Sequence, residues 1–366
     1  MMWLSIAEWG SPLRPYGAPP PHRGEENRAG SGLLSRKSAA WNCGVVAVAF
    51  MAVLATLFST SGHAADRIRI SAQRTGTLAW ELAVIKAHGL DAKAGIDLVI
   101  TELAAPEAGK IALKGGSADI IVTDLLWVAR ERALGGKLQF YPYGGTLGAV
   151  MVPAGSKRVG LKDLAGAKIG VAGGPLDKSW LMLMAFAAGQ DLDLKRKATP
   201  AYGAPPLLSE KLEQGELDAV LTFWNFAAQL EARGYRRLIE MADVQARLGA
   251  KGNVAILGFG FDSDWAARNA GALARFFEAS QQAKDVLAKS LAEWQRLASR
   301  IGTNDTAMLE LYRKRYADGV PRRGLDEEIA DARALYRVLA SIGGKELVGP
   351  ALELDPAVYW RPGRGR

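Results

Sequence analysis

From Asp66 onward, apolar residues recur in two alternating periods. Residues 67–71, Arg67-Ile-Arg-Ile-Ser71, switch between polar and apolar at every step, which is the period of a half-buried strand. Residues 77–87 carry apolar side chains at helical spacing and run out near Gly89. A second strand is predicted over 97–101, and a short helix over 107–113 before Gly115-Gly116. Residues 118–123 form an apolar run of the kind buried on both faces, and 125–134 read as a helix stopped by Gly135-Gly136. A fourth strand spans 137–143. Strands separated by helices of about ten residues imply βαβ units and a parallel sheet.

The same alternation starts again after Val150-Met-Val-Pro153. Residues 161–166 are a turn or short helix, and 168–172 a strand running into Gly173-Gly-Pro175. Helices are predicted over 179–188, 207–214 and 226–233, and strands over 218–223 and 236–240. Ile256-Leu-Gly-Phe-Gly-Phe261 is again extended. From Ala270 the pattern becomes helical, with Leu273, Phe276, Phe277, Leu287, Leu291 and Trp294 on one face, and helices follow over 305–316 and 325–342. Extended segments near Met151 and Leu257 can carry the chain between two bodies. The expected architecture is therefore α/β with two lobes joined by two hinge crossovers, the C-terminal helices returning to lobe 1. Lobe 1 is assigned residues 66–150 plus 258–366, and lobe 2 residues 151–257.

Residues 1–64 follow a different pattern. Up to Leu34 they are rich in Gly, Pro and Arg without hydrophobic periodicity, and read as a disordered extension. Arg36 and Lys37 then precede an apolar run, 45–58, and the small-residue stretch Ser59-Thr-Ser-Gly-His-Ala-Ala65. Basic, then apolar, then small is the layout of a cleavable signal peptide, with the cut expected after Ala64 or Ala65. The run is short of the ~20 residues that span a bilayer. The stretch before Arg36 is longer than a signal needs, so translation is expected to begin downstream of Met1. The chain is thus expected to be exported to the periplasm.

Composition narrows the function more than the fold. Charged residues make up 23% of the 366 and the net charge is +8, but basic and acidic residues are interspersed, as in Lys211-Leu-Glu-Gln-Gly-Glu216. No basic block is interleaved with aromatics, so nucleic acid is not an expected partner. Cys43 is the single cysteine and precedes the apolar run, which argues against lipid anchoring and leaves the exported part without a disulfide. The histidines are His22, His63 and His88, the first two upstream of the expected cut. Triads and His/Cys metal centres are therefore poorly supplied, and no cofactor or metal is expected.

Several stretches, in order, carry a resemblance. They are Ala83-Val-Ile-Lys-Ala-His-Gly-Leu-Asp-Ala-Lys-Ala-Gly-Ile-Asp97, Gly115-Gly-Ser-Ala-Asp-Ile120, Leu161-Lys-Asp-Leu-Ala-Gly-Ala-Lys-Ile-Gly-Val-Ala-Gly-Gly174, Leu212-Glu-Gln-Gly-Glu-Leu-Asp-Ala-Val220 and Trp224-Asn-Phe-Ala-Ala-Gln-Leu-Glu-Ala-Arg-Gly-Tyr235. Over about 67–300 the chain resembles periplasmic solute-binding proteins of the nitrate/sulfonate/taurine (NitT/TauT) ABC-importer family, which are related to thiamine-precursor synthases of fungi. The resemblance implies a type II periplasmic-binding-protein-like fold, a monomer that captures a small molecule, and a transient membrane permease partner. The family often has Trp-Glu-Pro where this chain has Trp224-Asn225-Phe226.

Ligands of open α/β sheets sit beyond the carboxyl ends of strands, which nominates four loops. After the first strand, Arg74, Thr75, Gly76, Thr77 and Trp80 offer a guanidinium, hydroxyls, close backbone approach and a ring; Thr77 is otherwise a helix cap. After the third, Thr123, Asp124 and Trp127 follow, where Asp124 is read as a cap, an acceptor for a ligand amine or a cation ligand. In the second lobe, Gly173, Gly174, Lys178 and Ser179 open a helix whose dipole favours an anion, with Asp177 as the alternative cap. The fourth is Trp224 with Asn225. Trp80, Trp127, Trp180 and Trp224 together suggest an aromatic-walled cleft suited to a polar or anionic organic solute. The alternatives are an enzyme of the synthase type, or a sensor or metal-handling binding protein in which Asp124 and Asp177 share a hard cation.

Overall fold

The computed structural model describes residues 65–363 apart from Thr75 and Ala105. The extension, the expected signal segment and Cys43 lie outside the described residues.

Ten strands form two five-stranded sheets. They are β1 (Asp66–Gln73), β2 (Ile96–Leu103), β3 (Ile120–Asp124), β4 (Leu138–Gly144), β5 (Ala149–Val152), β6 (Lys168–Ala172), β7 (Thr199–Gly203), β8 (Ala219–Thr222), β9 (Arg236–Glu240) and β10 (Leu257–Asp262). The first sheet has the order β2-β1-β3-β10-β4 and the second β7-β6-β8-β5-β9. The two orders are the same topology. In each, two parallel neighbours flank the first strand of the series, and one strand arriving from the other lobe, β10 or β5, runs antiparallel between the last two. The fold is therefore two-lobed, and the chain passes between sheets over 145–148 and again over 241–256.

The sequence explains this arrangement locally. The strands β5 and β8 are buried at every position, as unbroken apolar runs require. Pro142 and Pro200, which cannot donate to a ladder, fall on the edge strands β4 and β7. One aspartate pins each lobe's register. Asp119 accepts the Arg69 backbone N–H at 2.8 Å, and Asp218 accepts the Lys168 backbone N–H at 2.8 Å. In return, the Asp119 and Asp218 N–H groups donate to the carbonyls of Arg69 and Lys168. The matching Ser-Ala-Asp and Glu-Leu-Asp stretches thus do the same mechanical work in both halves.

The principal helices are α1 (Thr77–Ala87), α2 (Pro106–Lys114), α3 (Leu125–Ala133), α4 (Lys178–Ala188), α5 (Pro205–Glu213), α6 (Trp224–Ala232), α7 (Met241–Arg247), α8 (Ala270–Lys289), α9 (Thr306–Ala317) and α10 (Leu325–Val348). The helix α8 packs on α1 of the first lobe, as expected. The helices α9 and α10 reach the second lobe as well as the first. The helix α9 packs on both α8 and α6, and α10 on both α3 and α4. Periodicity shows that Leu309, Tyr312, Tyr316, Ile329, Leu335 and Leu339 face a core, but not which lobe supplies it. Among the described residues, no helix is long and apolar enough to cross a membrane.

Candidate functional site

A cavity of about 600 Å³ lies between the lobes, within the range of small-molecule sites. The first lobe lines it with Ser71–Gln73 and Gly76–Leu78 after β1, with Thr123 and Asp124 at the end of β3, with Tyr143 on β4, and with Glu107 and Lys110 of α2. The second lobe contributes Lys178 and Ser179, Pro205 and Pro206, and the run Phe223–Phe226 after β8. Thr146, Leu147 and Gly148 of the first crossing close the base. These are carboxyl ends of strands in both sheets, where side chains and helix N-termini converge.

Of the nominated residues, Gly76, Thr77, Thr123, Asp124, Lys178, Ser179, Trp224 and Asn225 line the cavity together. Arg74, Gly173 and Gly174 are not among its lining residues, and Thr75 lies outside the described residues. Arg74 is exposed, and Gly173 is spent on the left-handed turn (φ +97°) that folds back over Asp177. The aromatic wall of the cleft consists of Trp224 with Phe223, Phe226 and Tyr143. Trp80 is buried edge-on against Trp224, Trp294 and Tyr312. Trp127 and Trp180 are packed in the core beside α10. A helical position next to a site faces the core as readily as the cleft, and these three follow the core.

The helix termini sort into two kinds. The Asp124 carboxylate accepts the Trp127 N–H at 2.8 Å, and Asp177 accepts those of Ser179 and Trp180 at 2.9 and 3.2 Å. The starts of α3 and α4 are thus already occupied by their own caps, and the dipole expected to favour an anion at Gly173–Ser179 faces a carboxylate. Among the described residues no group of three His, Cys, Asp or Glu is placed to hold a metal ion. By contrast α1 begins at Gly76 and α6 at Phe223, and neither residue provides a side-chain cap. The first N–H groups of each helix have no acceptor within it, and Ala79 and Ala227 are the first donors to bond back, to Gly76 and Phe223. Gly76–Leu78 and Phe223–Phe226 both line the cavity, so two uncapped helix starts from opposite lobes meet the same space.

The side chains add donors. Lys110 and Lys178, one from each lobe, line the cavity, and each stands 3.9 Å from an aspartate that is engaged in capping. Each ammonium also lies over a ring, Lys110 over Trp127 at 5.2 Å and Lys178 over Phe223 at 5.9 Å. The Thr123 and Tyr143 hydroxyls are buried and have no hydrogen-bond partner among the described residues. Burial pushes the Tyr143 hydroxyl well above its ordinary value, so it stays protonated and able to donate. Gln73, Lys110 and Tyr143 were not singled out from the sequence. At α6 the readable signal was the missing Ser, Thr, Asp or Asn at Phe223, whereas at α1 the sequence offered Thr77 as a cap and the structure puts Gly76 in that place. His88 lies elsewhere, 2.9 Å from Glu293 at the end of α1.

A two-lobed α/β chain with a ligand-sized cleft at facing strand ends has the periplasmic-binding-protein-like fold. More narrowly, the chain belongs to the NMT1/THI5-like family, whose family model matches residues 81–290. Solved structures agree on the fold. The periplasmic aliphatic sulphonate-binding protein SsuA from Escherichia coli superposes with a TM-score of 0.65 at 18% identity, covering 81% of this chain and 97% of that one. The alkanesulfonate-binding protein SsuA from Xanthomonas axonopodis pv. citri, bound to MOPS, gives 0.61 at 20% identity, covering 81% and 98%. The desulfurization enzyme DSZB gives 0.52 at 16% identity, covering 82% and 95%. No curated protein sequence matches the chain.

Proposed function

We propose that the protein is the periplasmic solute-binding component of an ABC importer, a monomer exported by a cleavable signal peptide, which captures a small anionic organic solute of the sulfonate type. The observation that carries this reading is the pair of uncapped helix starts, α1 and α6, lining one cavity from opposite lobes. Unpaired backbone N–H groups at a helix N-terminus favour an oxyanion, and each lobe adds a lysine. A solute held by both lobes binds the closed form more tightly than the open one, so binding shifts the equilibrium toward closure about the two crossings. The closed form then docks on the permease.

The similarity to sulfonate-binding proteins supports the ligand class, and the similarity to a desulfurization enzyme keeps a turnover reading in view. Residues 65–363 contain no cysteine and a single histidine, and that histidine is bonded to Glu293 away from the cleft. Capture without bond chemistry is what this side-chain inventory supports.

The test places a competitor inside the protein. In Phe223→Asp a carboxylate caps α6 and occupies the N–H groups assigned to the ligand, at a part-exposed position whose ring also stands under Lys178. Isothermal titration with alkanesulfonates is expected to show binding to the wild type and a loss of about tenfold or more in the variant. Equal affinity in the two proteins overturns the assignment, and so does conversion of the bound solute by pure protein.

A further inference from the structure

Below the cleft lies a second, smaller space of about 40 Å³. Thr77, Tyr143, Thr146, Trp224 and Leu257 line both spaces, so the smaller one is a side chamber of the cleft. Its inner wall brings in Lys284 of α8 and Tyr316 of α9. A volume of this size holds a water or about two non-hydrogen atoms; its lining is mainly apolar, so a polar occupant depends on the few polar groups that reach it.

The polar groups around it are unevenly satisfied. Glu81 is fully buried and its carboxylate accepts three bonds, from Lys284 Nζ at 2.6 Å, from the Ser280 hydroxyl at 2.5 Å and from the Tyr316 hydroxyl at 3.3 Å. Lys284 gives one proton to Glu81 and one to Ser280 at 2.9 Å, and its third has no hydrogen-bonding acceptor among the described residues. Its ammonium stands 4.1 Å from the centre of the Tyr143 ring. The Tyr143 hydroxyl, in a residue only 6% exposed, has no partner among the described residues. Two buried donors therefore remain without an acceptor at hydrogen-bonding distance, although the Glu81 carboxylate lies near enough to the Tyr143 hydroxyl to add to the rise in its pKa. Leaving such groups unpaired is costly, and native structures pair them with protein, water or ligand.

We propose that this chamber is a second recognition subsite of the cleft, which takes an uncharged oxygen acceptor of the solute, a hydroxyl or ether oxygen, onto the Tyr143 hydroxyl and the Lys284 ammonium. The inference rests on the reading of the cleft as an anion site, and gives the solute a second polar function beyond its anionic head. The occupant is an acceptor because both free groups are donors. It is uncharged because Glu81 already neutralises Lys284, so a second charge in the chamber would be buried without a counterion. In the solute-free protein the same place belongs to an ordered water.

The experiment has two arms. The first is a high-resolution crystal structure of the solute-free wild type, in which a water bonded to the Tyr143 hydroxyl and Lys284 Nζ is expected. A dry chamber overturns the proposal. The second compares ω-hydroxyalkanesulfonates of two to four carbons with alkanesulfonates in which a methyl replaces the hydroxyl. The wild type is expected to prefer one hydroxylated probe roughly two- to tenfold, the worth of a neutral hydrogen bond. Tyr143→Phe, which removes a hydroxyl that bonds to no protein group, is expected to bring that ratio to about one. An unchanged ratio, or no preference in the wild type, overturns the proposal. If no sulfonate binds the wild type at all, the anion reading of the cleft falls, and the chamber is then decided by the crystal arm alone.

Discussion

Glu81 and Lys284 are demanding residues, because both charges are out of water. Desolvation lowers the Lys284 pKa from its ordinary value, while Glu81 works in the opposite direction. Removing one partner leaves a buried charge uncompensated, so Lys284→Met is expected to cost about 3–5 kcal/mol. Adding Glu81→Leu removes the stranded carboxylate and is expected to recover at least half of that loss, read as the urea midpoint of each variant. A double mutant no better than the single one would show that the pair matters through its hydroxyl partners, Ser280 and Tyr316. At this scale the sequence was half legible. Asp124 and Asp177 were recognisable as caps because an aspartate before a helical run has a local job. Glu81 and Lys284 sit at ordinary helical positions 203 residues apart, and nothing local marks them as partners. For the same reason Trp80 and Trp224 looked alike in the sequence, yet only Trp224 reaches the cavity.

The elements that join the lobes depend on two local devices. In the first crossing, Gly148 passes so close to β8 that an added Cβ would stand 1.5 Å from the Thr222 carbonyl oxygen. Gly148→Ala is therefore expected to unfold the protein or shift its melting temperature down severely, whereas Gly155→Ala, where a Cβ meets open space, should change little. In the second crossing, the Ala255 N–H donates to Glu328 of α10 at 2.6 Å, and Asp331 accepts from the Lys251 and Gly252 N–H groups and from Arg323. Desolvation raises the Glu328 pKa from 4.5 to about 7, against the pull of the Ala255 bond and Arg323, with Asp331 adding to the rise. A carboxyl whose folded pKa is raised favours the folded state while protonated in it. Its contribution is therefore lost as pH climbs from 4.5 through 7, by about 3 kcal/mol. Glu328→Gln keeps an acceptor for Ala255 and does not ionise, so it is expected to equal the wild type near pH 4 and exceed it at pH 8. Equal denaturation midpoints at both pH values would remove Glu328 as the source. Elements with strong periodicity, such as α1 and β6, were legible to the residue. The strand β7, Thr-Pro-Ala-Tyr-Gly, was not, because Pro200 masks a strand whose edge position makes the proline harmless.

At the scale of the whole molecule, two lobes do not mean two independent folding units. One apolar cluster takes Ile121 and Phe140 from the first lobe and Ile169, Val171 and Trp180 from the second, with Ile329, Leu335, Tyr336 and Leu339 of α10 between them. On the other side, Arg315 of α9 binds Glu231 of α6 through Nη2 at 2.5 Å and Nε at 3.1 Å, and Gln229 donates to the Tyr312 hydroxyl at 2.7 Å. Burial alone would raise the Glu231 pKa, but bonds from Arg315 and Arg237 hold it below its ordinary value. Two helices therefore fasten the lobes to each other, and the closure proposed for ligand capture must turn about these seams. Interfaces between domains of one chain are often small and polar enough to separate, and then the halves melt apart. Here the seam is apolar core, so calorimetry of residues 65–366 is expected to show one transition with equal calorimetric and van't Hoff enthalpies. Leu339→Ala provides the sharper test, because it opens a cavity in the seam itself and is expected to cost about 2–5 kcal/mol. If the lobes share that core, the single transition moves to lower temperature as a whole. If they are merely tethered, the variant splits into two transitions, one for each sheet.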